Sequence, residues 1–183
     1  MKVLGIVGSP RKEGNSDLLV SEALKGAASA GAEVERVFLA SLNINPCKGC
    51  DSCAKTGICI QKDDMIALTE KLLDADAVIL GTPIYWWGPS AQMKAFIDRW
   101  YAPNQVEARE VRMRKPYALI ATFGDSDAAT ARHTVGMLQD AFDYLKATFA
   151  AQLLVSADKR GEVAGNEKAM REAFELGKKM GSR

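Results

Sequence analysis

The sequence predicts an α/β fold, a three-layer sandwich with helices on both faces of a five-stranded parallel sheet of order 2-1-3-4-5. Short apolar segments alternate with segments of helical periodicity from one end of the chain to the other. Each strand is followed by a helix, a pattern that gives parallel strands joined by crossover helices. Five strands favour this order over the six-stranded arrangement.

The positions of the elements follow from periodicity. Residues 3–7 are continuously apolar, which is typical of a strand buried on both faces. The next helix begins near Asn15 and ends near Gly31. The other strands are predicted at residues 33–39, 77–81, 117–123 and 152–156. The other helices are predicted at about residues 64–73 and 89–101, around Leu138, Phe142, Leu145 and Phe149, and around Ala169, Ala173, Leu176 and Met180.

Composition and charge exclude several classes of protein. Lys and Arg number 24 against 23 Asp and Glu, so a net charge of +1 leaves no excess to hold a nucleic-acid backbone. No apolar run approaches the ~18 residues of a membrane span, so no membrane partner is expected. The apolar N-terminal stretch is too short for a signal peptide. We therefore expect a cytoplasmic protein with reduced cysteines.

The turn after the first strand, residues 8–16, resembles a phosphate-binding loop. It runs into a helix N-terminus, where free N–H groups and the helix dipole favour an anion. Ser9 and Ser16 can add hydroxyl donors, and Arg11 adds a permanent charge. The loop lacks the Gly-Lys pair of a Walker loop and the glycine spacing of a Rossmann fingerprint. The alternative is a capped turn without a ligand.

Two further turns lie where ligands bind in such sheets. The turn after the third strand carries Tyr85, Trp86 and Trp87 in succession, and aromatic faces suit a flat heteroaromatic ring. These aromatics could instead pack under the loop or at a subunit interface. The turn after the fourth strand contains Gly124, which permits close backbone approach to a ligand.

All four cysteines fall in one short segment with the spacing C-x2-C-x2-C-x5-C: Cys47, Cys50, Cys53 and Cys59. Four thiolates on a tight loop can ligate a cubane iron–sulfur cluster, much as a C-x2-C-x2-C run does in bacterial ferredoxins. A structural zinc ion fits this compact run less well. Unligated thiols and a redox-active thiol pair are the other interpretations.

Three motifs together resemble the flavodoxin-like NADPH-dependent FMN reductase family. They are Gly8-Ser9-Pro10-Arg11 with Gly14-Asn15-Ser16, then Pro83-Ile84-Tyr85-Trp86, then Lys94-Ala95-Phe96-Ile97-Asp98-Arg99. The resemblance implies that residues 1–183 form one flavodoxin-like domain that binds FMN. It implies that Ser9, Arg11, Asn15 and Ser16 hold the phosphate. It also implies that Pro83, Ile84, Tyr85 and Trp86 line the isoalloxazine ring, with Phe123 and Gly124 closing one side.

The cysteine run is similar to that of the iron–sulfur flavoproteins, a branch of the same family. The similarity covers residues 46–53, Cys59 and the pair Asp63-Asp64. It implies that Cys47, Cys50, Cys53 and Cys59 ligate a 4Fe–4S cluster beside FMN, within a cysteine-rich loop at residues 46–60. Electrons would pass between the two groups.

The leading hypothesis is therefore an FMN-dependent electron-transfer oxidoreductase that needs no catalytic side-chain acid or base. Its redox partner is expected to be a small molecule such as NADPH, or a ferredoxin. The alternatives are an NAD(P)H-dependent FMN or quinone reductase without a cluster, and a non-catalytic binding module. The aromatic surface predicts a homodimer or homotetramer. A basic cluster, Arg109, Arg112, Arg114 and Lys115, is either a solvated face or an attractor of a nicotinamide 2′-phosphate or an acidic ferredoxin.

Overall fold

The computed structural model describes residues 1–182. Its strands are β1 (Lys2–Val7), β2 (Glu33–Phe38), β3 (Ala77–Tyr85), β4 (Gly88–Pro89), β5 (Pro116–Phe123) and β6 (Thr148–Ser156). Five of them form a parallel sheet in the order β2-β1-β3-β5-β6, which confirms the predicted order 2-1-3-4-5. The sixth, β4, was not predicted and pairs antiparallel with the end of β3.

Six α-helices surround this sheet: α1 (Asn15–Ser29), α2 (Met65–Asp74), α3 (Ala91–Asp98), α4 (Glu107–Glu110), α5 (Arg132–Tyr144) and α6 (Glu167–Met180). The side chains of β1 show how two layers arise. Leu4 and Ile6 pack with α2, α3 and α5, whereas Val3 and Val7 pack with α1 and α6. Because successive strand side chains point to opposite faces, a strand with a core on each side must be apolar throughout.

Two strands are longer than the sequence predicts. β3 continues to Tyr85 because Thr82 and Pro83 still pair with β5. β6 begins at Thr148, so the assignment of Phe149 to the preceding helix was wrong. The helix ends earlier because Lys146 adopts a left-handed conformation with φ of 54°. Phe149 still contacts Phe142, at 5.3 Å between ring centroids, but from the strand.

Helices α1 and α6 approach each other unusually closely. A Cβ atom on Gly177 would lie 1.7 Å from the carbonyl oxygen of Ala23, and one on Gly26 would lie 1.9 Å from that of Phe174. Only glycine fits at these two positions, since a side chain would push the helix backbones apart. This contact fixes the helix that begins at the residue-8–16 loop.

The predicted basic cluster is occupied by internal contacts. Arg112 pairs with Asp74, and Arg114 pairs with Glu110 at 2.7 Å. Lys115 is buried, and its Nζ donates to the carbonyl oxygens of residues 72, 73 and 75 at the C-terminus of α2. These residues precede β5 and so lie at the amino edge of the sheet. The contacts favour a structural role for them over the attraction of an anionic ligand.

No helix between residues 1 and 182 is both long enough and apolar enough to cross a membrane.

Candidate functional site

Nine of the ten residues predicted to bind flavin line one cavity of about 150 Å³ at the carboxyl edge of the sheet. They are Ser9, Arg11, Asn15, Ser16, Pro83, Ile84, Tyr85, Phe123 and Gly124. The tenth, Trp86, lies outside the cavity with 91% of its surface exposed. The same cavity is lined by five residues that the sequence reasoning missed: Gly14, Thr122, Ala157, Asp158 and Arg160.

One end of the cavity is the N-terminus of α1. Gly14 is the N-cap residue, and no side chain among residues 1–182 caps this helix. The first N–H groups of an α-helix have no partner within the helix, so they remain available to an anion. Arg11 also lines this end, and its main-chain N–H donates to Ser9 Oγ at 3.1 Å. The arrangement is suited to binding a phosphate.

The loop before α1 is held in place by a buried carboxylate. Glu13 adopts a left-handed conformation with φ of 57°, and its N–H donates to Asp17 Oδ2 at 2.8 Å. Asp17 Oδ1 accepts from Arg36 Nη1 on β2, also at 2.8 Å. The Arg36 cation offsets the carboxylate charge, which would otherwise repel an anion at the same helix end.

The side chain of Asn15 is hydrogen-bonded to main-chain groups of the segment after β6. Its Nδ2 donates to the carbonyl oxygens of Ala157 and Lys159, at 3.2 and 2.9 Å. Its Oδ1 accepts from the N–H of Val163 at 3.3 Å. Asn15 therefore fastens the loop after β6 beside the first loop, and its main-chain N–H is its remaining donor. This brings Arg160, which donates to the carbonyl oxygen of Lys12 at 2.6 Å, to the cavity wall.

A buried polar pair forms the floor of the cavity. Ser16 Oγ and Thr122 Oγ1 lie 2.8 Å apart, and both residues are buried. At the N-cap of α3, Ser90 Oγ donates to the carbonyl oxygen of Gly8 at 2.6 Å, and the Ser90 N–H donates to Thr82 Oγ1 on β3 at 3.1 Å. Buried hydroxyl groups with partners of this kind fix the loops relative to one another.

The aromatic segment forms the tip of a hairpin between β3 and β4. Tyr85 pairs with Gly88, so Trp86 and Trp87 are its two central residues. Their φ angles are 50° and 62°, a region that large side chains rarely adopt. Trp87 is half exposed and Trp86 almost fully exposed. Strain of this kind concentrates at functional sites, and here it presents two indole rings to the surroundings.

The cysteine loop (residues 46–60) leaves and re-enters the fold at one neck, formed by Asn43, Asn45, Asp63 and Asp64. The N–H of Asn43 donates to Asp64 Oδ2 at 2.7 Å, and the N–H of Asp64 donates back to the Asn43 carbonyl at 3.1 Å. The N–H of Asn45 donates to Asp63 Oδ2 at 3.0 Å. The neck therefore joins both ends of the loop by hydrogen bonds.

Arg99, just beyond α3, locks this neck. Its Nη1 and Nη2 donate to both oxygens of Asp63 at 2.7 and 2.9 Å, and Nη1 also donates to the Asn45 carbonyl at 2.8 Å. Both side chains are 1% exposed. Burial opposes ionisation of each group, but the paired charges and hydrogen bonds dominate. They lower the pKa of Asp63 and raise the pKa of Arg99, and the latter is raised further by Cys59.

The four predicted ligand cysteines lie near one another. Cys53 is buried, and burial together with the charges of the other three thiols raises its pKa. Cys50 is exposed, and hydrogen bonds to Ser52 lower its pKa. Asp51, Gly49 and Gly57 adopt left-handed conformations that let the loop turn tightly around Cys53.

The cysteine donor set fits a cluster better than a single ion. Within residues 1–182, no three Cys, His, Asp or Glu side chains converge on one ion position. The ligands of a cubane each bind a different iron atom, so they surround the group without converging on a point. Burial is the main cause of the raised pKa of Cys53, and the thiolate charges of Cys59, Cys47 and Cys50 add to it.

Residues 1–161 match the sequence profile of NADPH-dependent FMN reductase. The chain belongs to this family. An iron–sulfur flavoprotein of Methanocaldococcus jannaschii is 50% identical over 99 residues, which are 54% of this chain and 51% of that protein. The chain thus spans about half the length of the curated iron–sulfur flavoproteins it matches.

Solved structures that are similar to this chain have the same fold. The Trp repressor binding protein of Bacillus subtilis superposes with a TM-score of 0.74 at 25% identity, covering 95% of this chain and 98% of that one. A flavone reductase superposes with a TM-score of 0.78 at 21% identity, covering 99% and 62%. The flavodoxin-like fold predicted from the sequence is confirmed.

Proposed function

We propose that the protein is an FMN-dependent electron-transfer oxidoreductase that also holds a 4Fe–4S cluster. The observation that carries the FMN assignment is the cavity at the carboxyl edge of the sheet, with an uncapped helix N-terminus at one end and aromatic residues at the other. Bound FMN supplies a group that exchanges electrons singly or as a hydride pair. Membership of the FMN reductase family supports the same assignment.

The residues of the chain divide into two roles toward FMN. The N–H groups of Asn15 and Ser16, the Ser9 hydroxyl and the Arg11 guanidinium hold the phosphate by charge and hydrogen bonding. Pro83, Ile84, Tyr85, Phe123 and Gly124 form the walls for the ring system and exclude water from it. Within residues 1–182, no histidine or paired carboxylates line the cavity, consistent with positioning rather than side-chain proton transfer.

The cluster is proposed to bind at Cys47, Cys50, Cys53 and Cys59. A cluster would exchange one electron at a time and so connect flavin with one-electron partners. The cysteine loop follows β2, so it emerges at the sheet edge that carries the cavity. The similarity to proteins named iron–sulfur flavoprotein supports this step.

We expect the assembly to be a homodimer or homotetramer in the cytoplasm, with NADPH or a reduced ferredoxin as electron donor. The exposed Trp86 and the half-exposed Trp87 and Tyr85 offer apolar surface that a second copy can cover. We propose that Trp86, which lies outside the cavity of its own chain, contributes to the flavin cavity of the second copy.

The test begins with anaerobic purification from cells with full cluster-assembly capacity, followed by iron, labile sulfide and FMN analysis. We expect about four irons and one FMN per chain. Cys53→Ala should lose the iron and keep the FMN, whereas Lys55→Ala, at an exposed position of the same loop, should keep both. FMN without iron in the unchanged protein would contradict the cluster and leave a plain flavin reductase.

The second candidate is an NAD(P)H-dependent FMN or quinone reductase without a cluster, favoured by the family match. Stopped-flow mixing separates the two. Rapid flavin bleaching by NADPH supports the reductase, and a response only to reduced ferredoxin supports the electron-transfer protein. Protein that neither carries nor takes up FMN would favour a binding module instead.

A further inference from the structure

We propose that Arg99 is a positioning residue for the cluster, donating its Nε–H to the sulfur of Cys59 and thereby raising the reduction potential of the cluster. The inference rests on the proposed cluster and adds to it a residue that lies 40 positions from the nearest cysteine in the sequence. It assigns Cys59 as the cysteine held against Arg99 at the neck of the loop.

The first support is the use of the Arg99 donors. Nη1 and Nη2 are spent on Asp63 and on the Asn45 carbonyl. Nε is buried and has no hydrogen-bond partner among residues 1–182. An unpaired donor on a buried cation is costly, so an acceptor is expected at this position.

The second support is the position of Cys59. Arg99 and Cys59 line one small cavity of about 10 Å³ between the cysteine loop and α2. Cys59 also raises the pKa of the Arg99 guanidinium, as a neighbouring thiolate would. The cavity has room for about one water at most, and the Cys59 sulfur on its wall is the acceptor that we assign to Nε–H.

A second arginine completes the surroundings of Cys59. Arg109 lines the same cavity, pairs with Glu70 at 2.6 Å and also has a buried Nε that finds no partner in the described part of the chain. Its Cδ would lie 2.8 Å from a Cβ atom on Gly57, two residues before Cys59. Two guanidinium donors therefore face the end of the loop that carries Cys59.

The electrostatic consequence follows from the charges. Asp63 and Glu70 already neutralise the two arginines, so each free Nε–H acts as an oriented dipole rather than as a net charge. Reduction adds one electron, and part of the added negative charge appears on the ligand sulfurs. A donor pointing at one of these sulfurs stabilises the reduced form more than the oxidised form.

The test is a redox titration of the holoprotein under anaerobic conditions. The electron paramagnetic resonance signal of the cluster reports the fraction that is reduced. Arg99→Lys keeps the charge and a contact to Asp63 but has no Nε–H. The control is Arg112→Lys. Arg112 forms an exposed ion pair at the opposite edge of the sheet. We expect Arg99→Lys to lower the ratio of reduced to oxidised cluster about tenfold at a fixed potential, a shift of 59 mV for one electron, and the control to leave it unchanged.

The outcomes separate the inference from the proposed function. If the wild-type protein contains no iron, both the proposed cluster and this inference are overturned. A cluster present in both proteins at the same potential overturns the inference alone. If Arg99→Lys fails to fold, Arg99→Gln combined with Asp63→Asn retains a neutral neck. A lowered potential in that variant supports the Nε–H donor, and an unchanged or raised potential overturns it.

Discussion

Asn15 and Lys159 are 144 positions apart in the chain, yet Asn15 Nδ2 lies 2.9 Å from the Lys159 carbonyl oxygen. This contact joins the start of α1 to the loop after β6, and with it the phosphate end of the cavity to the wall that carries Arg160. The cavity therefore depends on an amide side chain that satisfies two carbonyl acceptors and one N–H donor at once.

Replacing the Asn15 amide by a carboxylate tests the contact between these two loops. Asn15→Asp keeps the acceptor for the Val163 N–H but sets an oxygen against two carbonyls. We expect about tenfold weaker FMN binding, measured by quenching of flavin fluorescence, and a loss of about 1–3 kcal/mol in the free energy of unfolding. Asn104→Asp, on a half-buried turn away from the cavity, is the control. Unchanged FMN affinity in Asn15→Asp would show that the two loops hold together without the amide.

The phosphate assignment predicts a selective effect at Arg11. Arg11→Gln should weaken FMN binding about 10- to 100-fold, because a charge-assisted hydrogen bond to phosphate is lost. Riboflavin has no phosphate, so its affinity should not change. Lys12→Gln, which removes an adjacent cation outside the cavity lining, should affect FMN much less. Equal losses for FMN and riboflavin would place Arg11 at the ring rather than at the phosphate.

The close crossing of α1 and α6 predicts a large effect from one methyl group. Gly177→Ala should destabilise the fold by at least about 1–3 kcal/mol, since its Cβ would overlap the Ala23 carbonyl. Gly136→Ala, on the exposed face of α5 with open space around it, should stabilise by about 0.5–1 kcal/mol. Urea unfolding measures both changes. The helix crossing would be looser than described if the two variants behaved alike.

The hairpin tip predicts opposite effects on stability and assembly. Trp86→Asn with Trp87→Gly introduces the pair that two-residue hairpin turns with positive φ prefer. We expect each chain to gain stability of order 1 kcal/mol as the strain is relieved. The proposed oligomer should dissociate because the apolar contact assigned to it is lost. Urea unfolding and light scattering would report the two effects, and an unchanged mass would remove the hairpin from the interface.

The ion pair between Asp63 and Arg99 predicts acid sensitivity of the cysteine loop. The pKa of Asp63 in the folded protein lies below its usual value of about 4. Its contribution to stability is therefore fully present above about pH 4 and is lost as the pH falls through the lowered pKa. Limited proteolysis of the apoprotein should show cleavage in residues 46–60 rising below pH 4. Asp63→Asn should cleave equally at all pH values, and wild-type cleavage independent of pH would contradict the prediction.

The sequence predicted the sheet order and most of the cavity because those features depend on local patterns. A continuously apolar strand such as residues 3–7, or a turn such as residues 8–16, carries its signal in neighbouring residues. The ends of the third and fourth predicted strands were marked by an aromatic residue, Tyr85, and a glycine, Gly124. Both were placed correctly at the carboxyl edge.

The residues that were missed depend on contacts between distant segments. Thr122 is a buried polar residue in an apolar strand, and only its contact with Ser16 gives it a role at the site. Arg160 lies in a loop without a recognisable motif, and the one available signal was that the loop follows a strand. Arg99 lies in a segment of helical periodicity, where the sequence is equally compatible with an exposed ion pair on the helix surface. Its partner Asp63 is 36 positions away, beyond the reach of periodicity.

The neck of the cysteine loop has a consequence for how such a protein can be altered. Because Asn43, Asn45, Asp63 and Asp64 bring the two ends of residues 46–60 together on the sheet side, the segment between them is an exchangeable module. A short turn could replace it without changing the path of any strand, and the same segment with its four flanking residues and an arginine facing them could be grafted onto another flavin fold. Under the proposed function, gain or loss of the cluster would then require one insertion or deletion rather than a redesign of the core.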